Sequence, residues 1–382
     1  MGTGPRRNLI WAATLAIAAA KSGFALDHIT YKVDGRERKL SGQVLVEAAD
    51  GVLLKTADGA FHRILSRTIA NRSHDAQPLV MLTAEELAAQ LLAELPPGFQ
   101  VHQSTNYVVC YNTTRVYAEW TSSLLERLQK AFIQYWRKSG VDVAPSKQPL
   151  PVLVFGDQAS YAEWSRPDLG AAVTNVIGYY NLDTNRITMY DLTGMQTLVR
   201  EGYGRGTRRD INDLLSTPAA EPLVATIVHE ATHQISFNCG LQTRLVDNPL
   251  WMSEGLAVVF ETPDLRSSKS WSGVKVNYSR WDLFLENLDA GRVPPLSRLV
   301  GDDELFRQPE TAVDSYAQAW AWNYYLIKWR PKEYAAYLAA IRDQELLTPP
   351  DPKRRLAEFR KHFGPDFDKL EEEFFRQMRR LE

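Results

Sequence analysis

Along the chain, apolar residues recur with two periods, two and about 3.6, and the change between them divides the sequence. From Asp27 to about Asp75 apolar and polar residues alternate between the pairs Asp34-Gly35, Asp50-Gly51 and Asp58-Gly59. Asp-Gly favours the positive φ angles of tight hairpins, so Val44-Leu45-Val46, Val52-Leu53-Leu54 and Phe61-His62-Arg63-Ile64 are expected to form a short meander or barrel-like module over residues 26–78. Leu82 to Leu95 then reads as helix, broken by Pro96-Pro97-Gly98, which makes residues 79–100 a helix and linker. Beyond the break, Asn106 to Tyr111 reads as a strand. Leu124, Leu125, Leu128, Phe132 and Tyr135 line one face of a long helix, and Pro151 to Phe155 forms a second strand. Val176–Tyr180 and Arg186–Tyr190 flank Asn181-Leu182-Asp183-Thr184-Asn185, a hairpin signal. From about residue 280 onward the pattern is helical: Asp282 to Leu288, Tyr316 to Trp329, Lys332 to Arg342, and Leu356 to the end, with Pro294-Pro295 and Pro349-Pro350 as breaks. The fold class expected is α+β, a mixed sheet with helices and a helical C-terminal lobe, preceded by a small all-β module.

Composition adds exclusions. With 382 residues and a net charge of -2, the chain can bury a large core and has no electrostatic reason to bind nucleic acid. Lys353, Arg354 and Arg355, opposite Glu371, Glu372 and Glu373, read as solvated faces of opposite charge. Met1 to Ala25 reads as a secretory signal, with basic Arg6 and Arg7, an apolar run from Leu9 to Ala20, and small residues around Gly23-Phe24-Ala25. That run is shorter than the roughly 20 residues a spanning helix needs, so export to the cell envelope or beyond is favoured over an uncleaved anchor. Cys110 and Cys239 are the only two cysteines; they either pair in an oxidising compartment or stay as two buried thiols.

The chemistry concentrates in Thr226-Ile227-Val228-His229-Glu230-Ala231-Thr232-His233-Gln234-Ile235 and in Trp251-Met252-Ser253-Glu254-Gly255 downstream. Positions four apart share a helix face, so His229 and His233 can aim both imidazoles at one ion while Glu230 projects about 100° away. Glu254, in a second segment opened by Pro249, can add a carboxylate. Val224, Ile227, Val228, Ala231 and Ile235 give the first segment a buried face, and Asn238-Cys239-Gly240 a stop. The alternative is a buried helix whose histidines are only hydrogen-bonded. Gly202-Tyr203-Gly204-Arg205-Gly206, with Arg208 and Arg209, reads as a basic surface loop.

His229-Glu230-x-x-His233 followed by Trp251-Met252-Ser253-Glu254-Gly255-Leu256-Ala257-x-x-x-Glu261 resembles the gluzincin (peptidase MA) clan of zinc metallopeptidases. Roughly residues 100 to 340 also resemble a bacterial domain-of-unknown-function family of that clan, through Asn106–Thr113, Thr184–Gly194 and Tyr316-Ala317-Gln318-Ala319-Trp320. The resemblance implies a catalytic domain over 101–382 and one zinc ion held by His229, His233 and Glu254. It further implies Glu230 as general base and Glu261 as the acidic group behind a ligand histidine, a place Asp247 could also fill. Val258 stands where thermolysin-like members carry an Asp. Tyr316, opening its helix, is the candidate oxyanion donor, against a core tyrosine packed beside Trp320 and Tyr324. A peptide or protein is the implied substrate, paired along the edge of the hairpin sheet. Two other readings remain open: a non-catalytic peptide- or envelope-binding protein on the same scaffold, and a zinc hydrolase of a non-peptide carbonyl.

Overall fold

The computed structural model describes residues 26–194, 207–262 and 274–381. The N-terminal segment read as a secretory signal and the Gly202–Gly206 loop lie outside the described residues. The chain is a mixed α and β structure with an all-β region first and helices last.

Five strands build the first region: β1 (Leu26–Val33), β2 (Arg36–Ala48), β3 (Gly51–Thr56), β4 (Phe61–Leu65) and β5 (Ile69–Asp75). They pair antiparallel in the order β4-β3-β2-β1-β5. The Asp34-Gly35 hairpin joins β1 to β2 with φ of 50° and 75°, the paired positive angles that the dipeptide favours. β4 and β5 stand at opposite edges, yet only Ser66–Thr68 separates them. Laid flat, four strand spacings of about 4.8 Å exceed what so short a link can span, so the sheet must roll toward closure. Its core is small, with Ile29, Val52, Leu54 and Ile64 buried.

The second sheet holds β6 (Gln100–Gln103), β7 (Tyr107–Tyr111), β8 (Leu150–Phe155), β9 (Gly178–Asn181) and β10 (Arg186–Tyr190) in the order β6-β7-β8-β10-β9. β7, β8 and β10 run parallel; β6 and β9 are antiparallel edges. Side chains alternate between faces, so each strand feeds two cores. Val108, Cys110, Leu153, Phe155 and Tyr179 face α1 (Ala84–Glu94) and α3 (Gln158–Leu169). Thr83 caps α1 through a reciprocal capping box with Glu86. Tyr107, Val109, Tyr111, Val152, Val154, Ile187 and Met189 face α2 (Arg115–Lys138) and the helices that follow. Cys110 and Cys239 are therefore free thiols in cores on opposite faces of one sheet, not a disulfide.

The following helices are α4 (Arg208–Leu215), α5 (Glu221–Asn238), α6 (Leu250–Phe260), α7 (Tyr278–Asp289), α8 (Leu296–Gly301), α9 (Glu304–Arg307), α10 (Pro309–Trp329), α11 (Pro331–Arg342), α12 (Pro352–Phe363) and α13 (Phe367–Met378). Three sequence expectations change here. The terminal helix is two helices, because Gly364 at φ 98° ends α12 and Asp366 caps α13. Arg355 is not solvated: it is 2% exposed and pairs with Asp247 and Asp303, since its guanidinium fills a gap between α12 and the loop before α6. Arg209 sits on α4, where it faces Asp213 one turn away at 3.7 Å.

Candidate metal centre

Helix α5 forms because Pro222 suits a first turn and Val224, Ile227, Val228, Ala231 and Ile235 bury one stripe against the sheet. One turn apart on a neighbouring face, His229 and His233 look toward α6. Pro249 precedes α6, and nine of its eleven residues are buried, so Glu254 is carried by a helix held on nearly every side. The close approach of α6 to α10 depends on Gly255: a β-carbon there would lie 2.1 Å from Asn323 Nδ2 and 2.5 Å from the Ala319 carbonyl oxygen. Asn323 Nδ2 donates to the Trp251 and Ala319 carbonyls at 2.9 and 2.8 Å, and Tyr334 donates to Asn323 Oδ1.

Three donor atoms converge. His229 Nε2 lies 3.1 Å from Glu254 Oε2 and 3.2 Å from His233 Nε2, and His233 Nε2 lies 3.5 Å from Glu254 Oε2. Ligands about 2.0–2.1 Å from a tetrahedral ion stand about 3.3 Å from one another, so two imidazole nitrogens and one carboxylate oxygen at these separations fit a zinc-sized cation. Among the described residues, His229, His233 and Glu254 form the one group of three such donors placed to share an ion. Their side chains are 13, 11 and 16% exposed, which leaves the cluster open on one side.

Around this cluster the structure sorts the other candidates. Glu261, just past the end of α6, places Oε2 3.2 Å from His229 Nδ1, while its Oε1 accepts from Asn277 Nδ2 and Arg280 Nε, each at 3.3 Å. A carboxylate on Nδ1 fixes the tautomer that presents Nε2 to a metal. Asp247 is not in that place; it is committed to Arg355, Nη2 to Oδ1 at 2.5 Å, and to Arg354 at 2.9 Å. Burial opposes charge on His229, but its hydrogen bonds to Glu254 and Glu261 override burial and raise its pKa to about 10. Burial likewise opposes charge on Glu254, and the two histidines overcome it, holding the carboxyl well below the usual range.

Glu230 stands apart from the three donors, as the 100° offset requires. Its Oε2 accepts the Tyr180 backbone N–H of edge strand β9 at 2.8 Å. Burial pushes its pKa up, and the nearby histidines pull against that. Tyr316 does not open its helix; α10 begins at Pro309, so Tyr316 lies two turns inside. Trp320 and Tyr324 lie tilted against each other with ring centroids 5.4 Å apart, and Tyr316 packs partly buried against the same core. Its ring lies 6.2 Å from that of His229 and edge-on to Phe306. Burial first, then the charge of Glu254 and a hydrogen bond to it, push the Tyr316 hydroxyl pKa up, so it remains a proton donor.

Residues 223–347 match the model of a family described as a protein of unknown function, DUF1570. The matched stretch contains His229, Glu230, His233, Glu254, Glu261 and Tyr316, but it is narrower than the span from 100 to 340 expected from the sequence. No curated protein matches the chain. Sequence reasoning overlooked Tyr180, Asn277, Arg280 and Asn323. Tyr180 acts through its main chain, which no side-chain pattern reports. Arg280 is 19 residues beyond Glu261, with no spacing rule to link them.

Proposed function

We propose that the protein is a zinc-dependent hydrolase of peptide bonds, built on a gluzincin-like scaffold and exported to the cell envelope or beyond. The observation that carries this reading is the convergence of His229 Nε2, His233 Nε2 and Glu254 Oε2 beside a carboxylate, Glu230, that is no part of the donor set. A scaffold that only bound peptides would have no use for that base. Bound there, zinc supplies a Lewis acid for a carbonyl and makes water more acidic, toward a pKa of about 7.

The chain's own groups divide the remaining work. Tyr180 holds Oε2 of Glu230, which leaves Oε1 to take a proton from the attacking water and return it to the leaving nitrogen. Tyr316, kept protonated, can donate to the oxygen that gains charge in the tetrahedral species; removing such a donor typically costs roughly 100-fold or more. Glu261 keeps His229 oriented, with Arg280 holding Glu261 in turn. Among the described residues β9 has a strand neighbour on one side only, so an extended substrate can add to its other edge beyond the Tyr180 N–H that Glu230 holds. The apolar N-terminal segment supports export, and among the described residues no helix is long and apolar enough to cross a membrane.

The test pairs elemental analysis with cleavage of a mixed peptide library by the purified chain and by Glu230→Gln. About one zinc per chain is expected in both, with cleavage by the wild type only. Zinc in both forms with cleavage by neither would point to a binding protein or a non-peptide substrate. Absence of zinc would remove the assignment of the site.

A further inference from the structure

The loop that joins the two ligand-bearing helices, residues 239–249, is anchored by backbone bonds at Cys239 and Leu245 and by two charged side chains that reach in opposite directions. Asp247 ties it to Arg355 of the C-terminal helices. Arg244 points the other way and is 7% exposed. Its Nη2 donates to the Gly59 carbonyl of the β module at 2.8 Å, and its Nη1 to the Leu182 carbonyl at 3.0 Å. The guanidinium lies 4.0 Å above the Phe61 ring. Its direct partners are thus two main-chain carbonyls and an aromatic face; the carboxylates of Asp183 and Asp58 act on it only through charge, and burial outweighs them and lowers its pKa, so this is a costly way to bury a cation. The next residue, Leu245, has φ of 63°, a conformation that bulky side chains rarely adopt. Two unfavourable features in adjacent residues mark a joint whose geometry matters more than its local stability.

What the joint holds is the turn between β9 and β10. Leu182 directly follows β9, and the Phe61 N–H donates to the next carbonyl, that of Asp183, at 2.7 Å. Tyr180, two residues before Leu182, gives its N–H to Glu230 and stacks its ring on Phe237, one turn beyond His233. A chain of contacts therefore runs from the β module through Arg244 and the turn to the carboxylate of Glu230.

We propose that Arg244 is a positioning residue that uses the N-terminal β module as a buttress for the β9–β10 turn and, through Tyr180, sets the Glu230 carboxylate for proton transfer. The module is on this view a working part of the catalytic unit rather than a separate binding domain. The proposal rests on the zinc hydrolase reading for its catalytic half, whereas the mechanical half can be measured without turnover.

The experiment compares the wild-type chain with Arg244→Ala, Arg244→Lys and Phe61→Leu by hydrogen exchange, zinc content and steady-state kinetics on a library-derived peptide. Arg244→Ala should speed exchange across residues 178–185 by about 10-fold or more while α2 is unchanged. Zinc content should stay the same and kcat should fall roughly 10–100-fold, with KM moving less than about 3-fold. Lysine should restore only part of the loss, because one ammonium cannot bridge two carbonyls as a guanidinium fork does. Phe61→Leu, which stays apolar but removes the ring, should shift exchange and kcat the same way by less, and it serves if Arg244→Ala does not fold. Unchanged exchange in the turn, faster exchange with unchanged kcat, or loss of zinc would each overturn the proposal. If the wild type cleaves nothing, the hydrolase reading fails by itself, and the exchange result alone decides whether Arg244 holds the turn.

Discussion

Replacing Gly255 with alanine tests whether the proposed metal centre depends on how closely α6 approaches α10. The added β-carbon would sit 2.5 Å from the Ala319 carbonyl oxygen and 2.1 Å from Asn323 Nδ2. Ordinary contact is about 3.5 Å, so the helices must part by about 1 Å, because a backbone carbonyl cannot swing aside as a side chain can. Alanine favours a helix interior over glycine by about 1 kcal/mol, whereas overpacking costs about 1–3 kcal/mol. The Asn323 bridge to the Trp251 carbonyl is strained as well, so the net loss should be about 2 kcal/mol, or roughly 2–3 °C in Tm for a chain of this size. The larger effect should fall on the metal. Glu254 is the neighbouring residue, and a ligand set tolerates only about 0.2 Å of displacement, so zinc affinity should drop at least about 10-fold in competition with a chromophoric chelator. Gly301→Ala is the control: its β-carbon would meet Pro352 and Leu356 at 3.5 Å and beyond, and stability should stay within about 0.5 kcal/mol of wild type. A Gly255→Ala chain with wild-type Tm and wild-type zinc affinity would refute the idea that this contact places Glu254.

Three further outcomes follow, one from the donor cluster and two from the buried thiols. Glu261→Ala removes the acceptor on His229 Nδ1 and leaves Arg280 without its carboxylate, so zinc affinity should fall about 10–100-fold; equal affinity in the chelator assay would show that Glu261 does not orient the ligand. Burial pushes the Cys110 and Cys239 thiols up to about 12 from an ordinary 9.0, so neither should react quickly with a thiol reagent in the native chain at neutral pH, and both should react in denaturant. Between those two pKa values the unfolded chain releases thiol protons that the folded chain keeps. Stability should therefore fall as pH rises from about 9 toward 12, by up to about 1.4 kcal/mol per pH unit for each thiol. Fast labelling of either native thiol, or flat urea midpoints over that range, would contradict the burial.

The elements that sequence made legible are those with an apolar stripe. α2 and α5 bury long runs, and the β9–β10 hairpin is bounded by polar turn residues, so period and punctuation reported them, whereas α6 read only as a segment opened by Pro249 because nine of its eleven residues are buried and leave no polar face to mark the period. α3 went unseen because only Tyr161 and Ser165 of its twelve residues are buried, and Pro167 interrupts the pattern. The first turn and a half of α10 is mostly exposed, so the apolar signal began at Tyr316 although the helix begins at Pro309. The break in the last helix was written in Gly364-Pro365, a helix stop by its backbone chemistry, but the strong amphipathic pattern on both sides hid it.

In the candidate site, the side chains that converge were legible and the groups that hold them were not. His229, His233 and Glu254 are specified by a helical period and a fixed spacing, which survive in one dimension. Tyr180 contributes a backbone N–H, and any residue but proline offers one. Gly255 matters through Asn323, 68 positions away, and Arg244 through Gly59, 185 positions away. Such partners are chosen by the packing of the whole chain, and it is there that the donor cluster acquires its orientation. A zinc-binding peptide cut from α5 and α6 would keep every predicted ligand and lose the Tyr180 contact, the Gly255 approach and the Arg244 joint together. Metal affinity and proton transfer should therefore separate on mutation: changes at Gly255 and Glu261 reach the metal first, and changes at Arg244 reach Glu230 with the metal still in place.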